Sequence, residues 1–213
     1  MTSIVRPDLA EAHAASLAHI ASPGCCFTGA ERLRIAEIAR EAFLERDPSP
    51  PWVKPFEKPE HNVAYRLARH AGTLTEGWYR ALLAEGLTEL EWVEVVGIVV
   101  AVIPVVAFAR AAGVSPPADC SPGDAVPTGA RAPELVSAEL NWVPVAAPAD
   151  QQAAVLQALS ALPTEWSNLW QLAAAQYMTS DQMADPAWNR GTLSRPQMEL
   201  VAGRISKLRE CFY

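Results

Sequence analysis

The 213-residue chain is half apolar and 19% charged, material enough for a packed core and unlike a disordered or fibrous sequence. Its net charge of -7, with no cluster of Lys and Arg along one face, excludes the footprint of a nucleic-acid binder. Eighteen prolines against eleven glycines, with only five Phe and four Tyr, point to helices separated by Pro-rich joints, an all-α class.

Taken in chain order, Asp8 to Ile20 reads as a helix with Asp8 as N-cap and Ser22-Pro23-Gly24 as its stop. Thr28 followed by Glu31 forms a capping box, and the helix it opens should run to about Glu45 before Asp47-Pro48. Helices are expected over Val63–His70 and Thr75–Glu85, the second with Gly86 at its C′ position. Thr88 then caps a long apolar helix whose Val95–Ala109 run is fifteen residues, shorter than the roughly 20 a bilayer span needs. Glu91 and Glu94 precede the run, and Pro104 interrupts it, so a buried core helix is expected rather than a membrane segment. Its β-branched content would equally suit a buried strand, and length with flanking caps favours the helix.

Val114 to Pro148 contains seven prolines and few large apolar residues, and reads as an extended linker. Beyond it, Asp150 caps a helix to Leu162, Pro163-Thr164-Glu165 opens another to about Met178, and Asp185–Gly191 is loop. The last helix starts near Ser194 with Pro196 in its first turn and places Met198, Val201, Ile205, Leu208 and Phe212 at helical spacing.

No apolar stretch of signal-peptide length opens the sequence, so a cytoplasmic location is expected. In that compartment Cys25, Cys26, Cys120 and Cys211 read as thiols rather than a disulfide framework. The sequence has no Gly-x-Ser-x-Gly elbow, phosphate loop, Gly-x-Gly-x-x-Gly or His-Glu-x-x-His, and no cofactor is expected. A zinc site from His13, His19, Cys25 and Cys26 can be drawn, but adjacent cysteines chelate poorly beside the usual spaced pairs.

The segment Leu193 to Tyr213, with Met198-Glu199-Leu200-Val201-Ala202 leading to Cys211-Phe212-Tyr213, resembles the motif helix of the alkylhydroperoxidase D and carboxymuconolactone decarboxylase superfamily, peroxidase-related branch. In that motif a glutamate stands twelve residues before the first cysteine of a Cys-x-x-Cys, the spacing of Glu199 and Cys211, and a histidine follows the second cysteine. Leu74-Thr75-Glu76-Gly77-Trp78-Tyr79-Arg80, Val93–Gly97 and Phe108–Val114 are similar to the helix pair beside the motif helix, and Thr28–Phe43 looks like a degenerate copy of it. The resemblance implies a helical domain of two pseudo-repeated halves: 1–113 with the degenerate motif helix, 114–148 as Pro-rich linker, and 149–213 ending within the motif.

The resemblance also implies thiol chemistry by Cys211 with Glu199 in proton transfer, reducing an alkyl hydroperoxide at the expense of an external dithiol. Cys211 matches the resolving cysteine of the pair; the attacking cysteine and the relay histidine would come next, beyond Tyr213. Without them, turnover is expected to be impaired, and an enzyme would need a partner subunit to supply the missing groups. On a straight helix Glu199 and Cys211 lie about 18 Å apart along one face and cannot touch directly. Two alternatives stand beside this reading. One is a noncatalytic homo-oligomer on the same scaffold, suggested by seven tryptophans, Trp170 among them, and by the apolar spacing up to Phe212. The other is a lactone decarboxylase, for which no histidine is placed by motif.

Overall fold

The computed structural model describes residues 5–118, 120–137, 141–148 and 154–208, and it is predominantly helical. The first helix, α1 (Pro7–Ala21), starts one residue ahead of Asp8 because Pro7 occupies N1, where its missing N–H costs nothing. Helix α2 (Gly29–Leu44) opens on the Thr28–Glu31 capping box, with both reciprocal bonds made. Helix α3 (Pro59–His70) begins four residues before the expected Val63, again because a proline sits at N1. A single 3₁₀ turn, Ala71–Thr73, leads to α4 (Glu76–Ala84), capped by Thr75 and closed by Gly86 at φ 108°.

The long apolar segment is helix α5 (Glu89–Ala112), capped by the Thr88–Glu91 box and ended by Gly113 in the left-handed conformation at φ 67°. It runs through Pro104 without a break. A proline inside a helix costs roughly 3 kcal/mol, and burial of Val102, Val105 and Val106 around it offsets that cost. By length and composition α5 could cross a membrane, but 67% of its most apolar stretch is buried inside the protein. Helices α2, α3 and α5 pack pairwise, and α1 lies against α2 and α5. Their core joins Ile20, Ile35, Ile38, Val63, Tyr79, Leu82 and Ile98, each at most 1% exposed. Helix propensity is weak over α5, whose β-branched residues favour strand in isolation; burial of most of its surface decides for helix.

The described parts of the Pro-rich segment are largely extended, as its composition predicts, and backbone hydrogen bonds fasten them to the first helices and the loop between them. The Gly123 N–H bonds the Ala21 carbonyl at 2.9 Å, and Thr128 and Gly129 N–H groups bond the carbonyls of Gly24 and Cys25 at 2.8 and 3.0 Å. Further on, a short antiparallel ladder pairs β1 (Leu135–Val136) with β2 (Val145–Ala146), Leu135 opposite Ala146 and Val136 opposite Val145. After the one turn of α6 (Ala154–Gln157) comes α7 (Pro163–Gln176), opening at Pro163 as expected. Asp150, the predicted cap, lies outside the described residues. Val93, Leu159, Ala161 and Leu162 form a second apolar cluster against Cys25 and Leu135.

The chain divides into two compact units, residues 1–172 and 173–213. The second contains α8 (Ser180–Ala184), opened by a Thr179–Gln182 capping box, and α9 (Arg195–Leu208), which carries Pro196 in its first turn. Arg195 ties this unit together by donating to the carbonyls of Gln182, Met183 and Asp185 at 3.0, 3.2 and 3.3 Å.

Candidate functional site

The most concentrated chemistry lies inside the first unit, where four helices each contribute one ionisable side chain. Arg32 of α2 is fully buried, and its Nη1 donates to Glu94 Oε1 of α5 at 2.5 Å and to Glu165 Oε1 of α7 at 2.8 Å. Its Nε donates to the Ile20 carbonyl at 3.2 Å. His19 Nε2 of α1 lies 2.9 Å from Glu165 Oε1 and 3.1 Å from Arg32 Nη2, and Arg32 Nη2 also donates to the His19 carbonyl at 3.4 Å. Glu94 and Glu165 side chains are 0% and 1% exposed, whereas that of His19 is 24% exposed, so the imidazole is where the cluster meets solvent.

Burial works against the Glu165 carboxylate, but the His19 hydrogen bond and the Arg32 charge outweigh it and hold Glu165 below the usual carboxylate range. For Glu94 burial wins: the Arg32 charge and the Cys26 N–H, at 2.6 Å from Oε2, do not compensate, and its affinity for a proton is raised. One guanidinium faces two buried carboxylates, so a proton on Glu94 brings the group to neutrality. Glu165 Oε2 is buried with no hydrogen-bond partner among the described residues.

Two glycines make room for it. A Cβ on Gly24 would collide with Glu94 Oε1 and Arg32 Nη1, and a Cβ on Gly97 would stand 2.9 Å from Glu165 Oε2. Beside Gly24, the adjacent Cys25 and Cys26 are half-buried free thiols. Burial pushes both upward, Cys26 the further because Cys25 and Glu94 add to it. Both are therefore protonated near neutral pH and are poor nucleophiles at rest. His13 packs edge-on to Phe108 at 5.2 Å, while His19 is committed to Glu165. No three metal-ligating side chains converge among the described residues.

Of the residues singled out by the motif, Glu199 lies on the first turns of α9, its side chain 47% exposed, and accepts from Arg195 Nε at 2.5 Å. Hydrogen bonds from Arg195 and then Tyr177 hold its carboxyl below the usual range, so it is ionised at neutral pH. Cys211 lies outside the described residues, as do Phe212 and Tyr213. The sequence reading missed Arg32 and Glu165 as members of a site and took Glu94 for a flank. Their signal was present: Glu94 is an acid inside an apolar helix that buries all its neighbours, and such a charge needs a cation. The run Val93-Glu94-Val95-Val96-Gly97 also parallels Met198-Glu199-Leu200-Val201-Ala202, so similar local sequences place one glutamate in the core and the other at the surface.

No family model matches the sequence, and no similar curated protein or solved structure is found.

Proposed function

We propose that the chain is an alkylhydroperoxidase-like thiol protein in which Glu199 serves the redox chemistry of Cys211. The observation that carries this reading is the place of Glu199 on α9, twelve residues ahead of Cys211, with Arg195 bonded to its carboxylate. Its carboxylate can exchange a proton with the thiol only through a relay group, which a partner subunit would supply, because about 18 Å of helix separates it from Cys211. A cysteine thiol takes the terminal oxygen of a hydroperoxide, leaving an alcohol and a sulfenic acid. A second thiol then releases water and forms a disulfide, which an external dithiol reduces. The protonated Cys25 and Cys26 support placing this chemistry at Cys211 rather than in the first unit.

The test is a single turnover with a slight excess of organic hydroperoxide, followed by sulfenic-acid trapping and peptide mass spectrometry. Selective modification of Cys211 is expected, lost in Cys211→Ser and slowed in Glu199→Gln. Peroxide consumption unchanged by Cys211→Ser refutes the reading.

A second reading, a noncatalytic homo-oligomer, is favoured by one feature of α9. Leu200, Val201, Ile205 and Leu208 are 74%, 58%, 56% and 63% exposed and fall on one side of the helix. A second copy of the chain would cover them. Sedimentation equilibrium should then show a dimer or larger that Ile205→Asp dissociates; a monomer at all concentrations rules this out.

A further inference from the structure

In the first unit a surface groove of about 670 Å³ is lined by Cys26, Thr88, Glu89, Leu90, Arg131, Leu135, Val136, Ser137 and Pro144. Its volume lies within the range of small-molecule sites. The walls come from three places that the chain has no local reason to bring together: the Cys25–Cys26 loop, the start of α5, and the β1–β2 ladder with the strand's approach. Arg131 is exposed on the rim, and among the described residues it has no carboxylate partner. Glu89, also on the rim, accepts from Tyr79 Oη at 3.3 Å.

We propose that this groove binds a small amphipathic monocarboxylate, its carboxylate on Arg131 and its apolar body against Leu90, Leu135, Val136 and Pro144. A guanidinium presents two parallel N–H donors, the geometry a carboxylate accepts bidentately. The apolar walls reward a hydrocarbon body, and a purely polar anion would leave them wet. Glu89 sets the charge limit. Glu89 and Arg131 together are neutral, so a monoanion adds one excess negative charge to the groove and a dianion such as a phosphate ester adds two, which favours the monoanion. A cationic amphiphile is turned away by Arg131. Cys26 at the groove wall gives the site a built-in reporter, since a bound ligand covers its thiol. The proposal uses neither Glu199 nor Cys211 and stands independently of the peroxide chemistry.

The experiment is hydroxyl-radical footprinting of the full chain at about pH 7, which labels side chains by exposure and not by thiolate content, read cysteine by cysteine with mass spectrometry. Decanoate is the probe, and decylamine of the same chain length is the control. Decanoate should slow modification of Cys26 while leaving Cys120 unchanged, and decylamine should not. In Arg131→Gln the decanoate concentration for half protection should rise about tenfold, as losing a charge-assisted hydrogen-bond pair implies. Glu89→Gln, which keeps the acceptor for Tyr79, should lower it. Equal protection by decylamine, no protection by decanoate, or an unchanged midpoint in Arg131→Gln overturns the proposal. Because Arg131 is exposed, its variant keeps the fold, and an unchanged Cys120 rate checks that it does.

Discussion

Replacing Arg32 by Met tests whether the first unit is organised around a buried charge cluster. The substitution keeps the unbranched apolar stem but removes the donors to Glu94, Glu165 and the Ile20 carbonyl. Two carboxylates that are 0% and 1% exposed then face each other without a cation. Removing one partner of a buried ion pair costs about 3–5 kcal/mol, a large part of the roughly 5–15 kcal/mol that holds a domain together. For a chain of this length that is about 6–20 °C in unfolding temperature. Circular-dichroism melts and urea titrations at a series of pH values read both the size and the cause. Without Arg32 the folded-state affinities of Glu94 and Glu165 for protons rise above their unfolded values, so the folded form binds more protons. The deficit should therefore be full near pH 7 and shrink as pH falls toward about 4.3, where the unfolded glutamates also protonate. The double variant Arg32→Met with Glu94→Gln should recover part of the loss. A deficit under about 1 kcal/mol, or one that ignores pH, would falsify the charged, closed cluster.

Three further outcomes test local packing and burial. Gly24→Ala places a methyl group against Glu94 and Arg32, both fixed by their mutual bonds, and should cost about 1–3 kcal/mol by urea titration; Gly203→Ala, with open space at its Cβ, should cost nothing or stabilise its helix. Burial and the neighbouring Glu89 push the Tyr79 hydroxyl up to about 12, so ultraviolet titration should show one late phenol step that Tyr79→Phe removes. The folded form keeps that proton longer than the unfolded chain, so stability should decline between about pH 10 and the folded value.

Much of the helical frame was legible because its signals are local. Thr28-x-x-Glu31 and Thr88-x-x-Glu91 each satisfy orphan N–H groups within four residues, and Gly113 ends α5 by a conformation that glycine reaches freely. Prolines at N1 shifted the starts of α1 and α3, since a first-turn proline opens a helix as readily as a polar cap does. On α9 the Arg195–Glu199 pair is legible as a local i,i+4 contact, whereas Tyr177, just past the end of α7, is brought to Glu199 only by tertiary structure.

What the sequence determined by itself was the set of helices, their caps, the extended character of the Pro-rich segment and an apolar α5 that had to be buried. Tertiary structure alone decided which charges entered the interior. Arg32, Glu94 and Glu165 are separated by 62 and 133 residues from the guanidinium to each acid, and no local pattern pairs them. A buried charge is tolerable only when the fold brings its counter-charges within hydrogen-bond reach, and that is a property of how helices pack. The same holds for the groove at Arg131, whose walls meet only after the Pro-rich segment is strapped across the Cys25–Cys26 loop by backbone hydrogen bonds that any sequence of residues could supply.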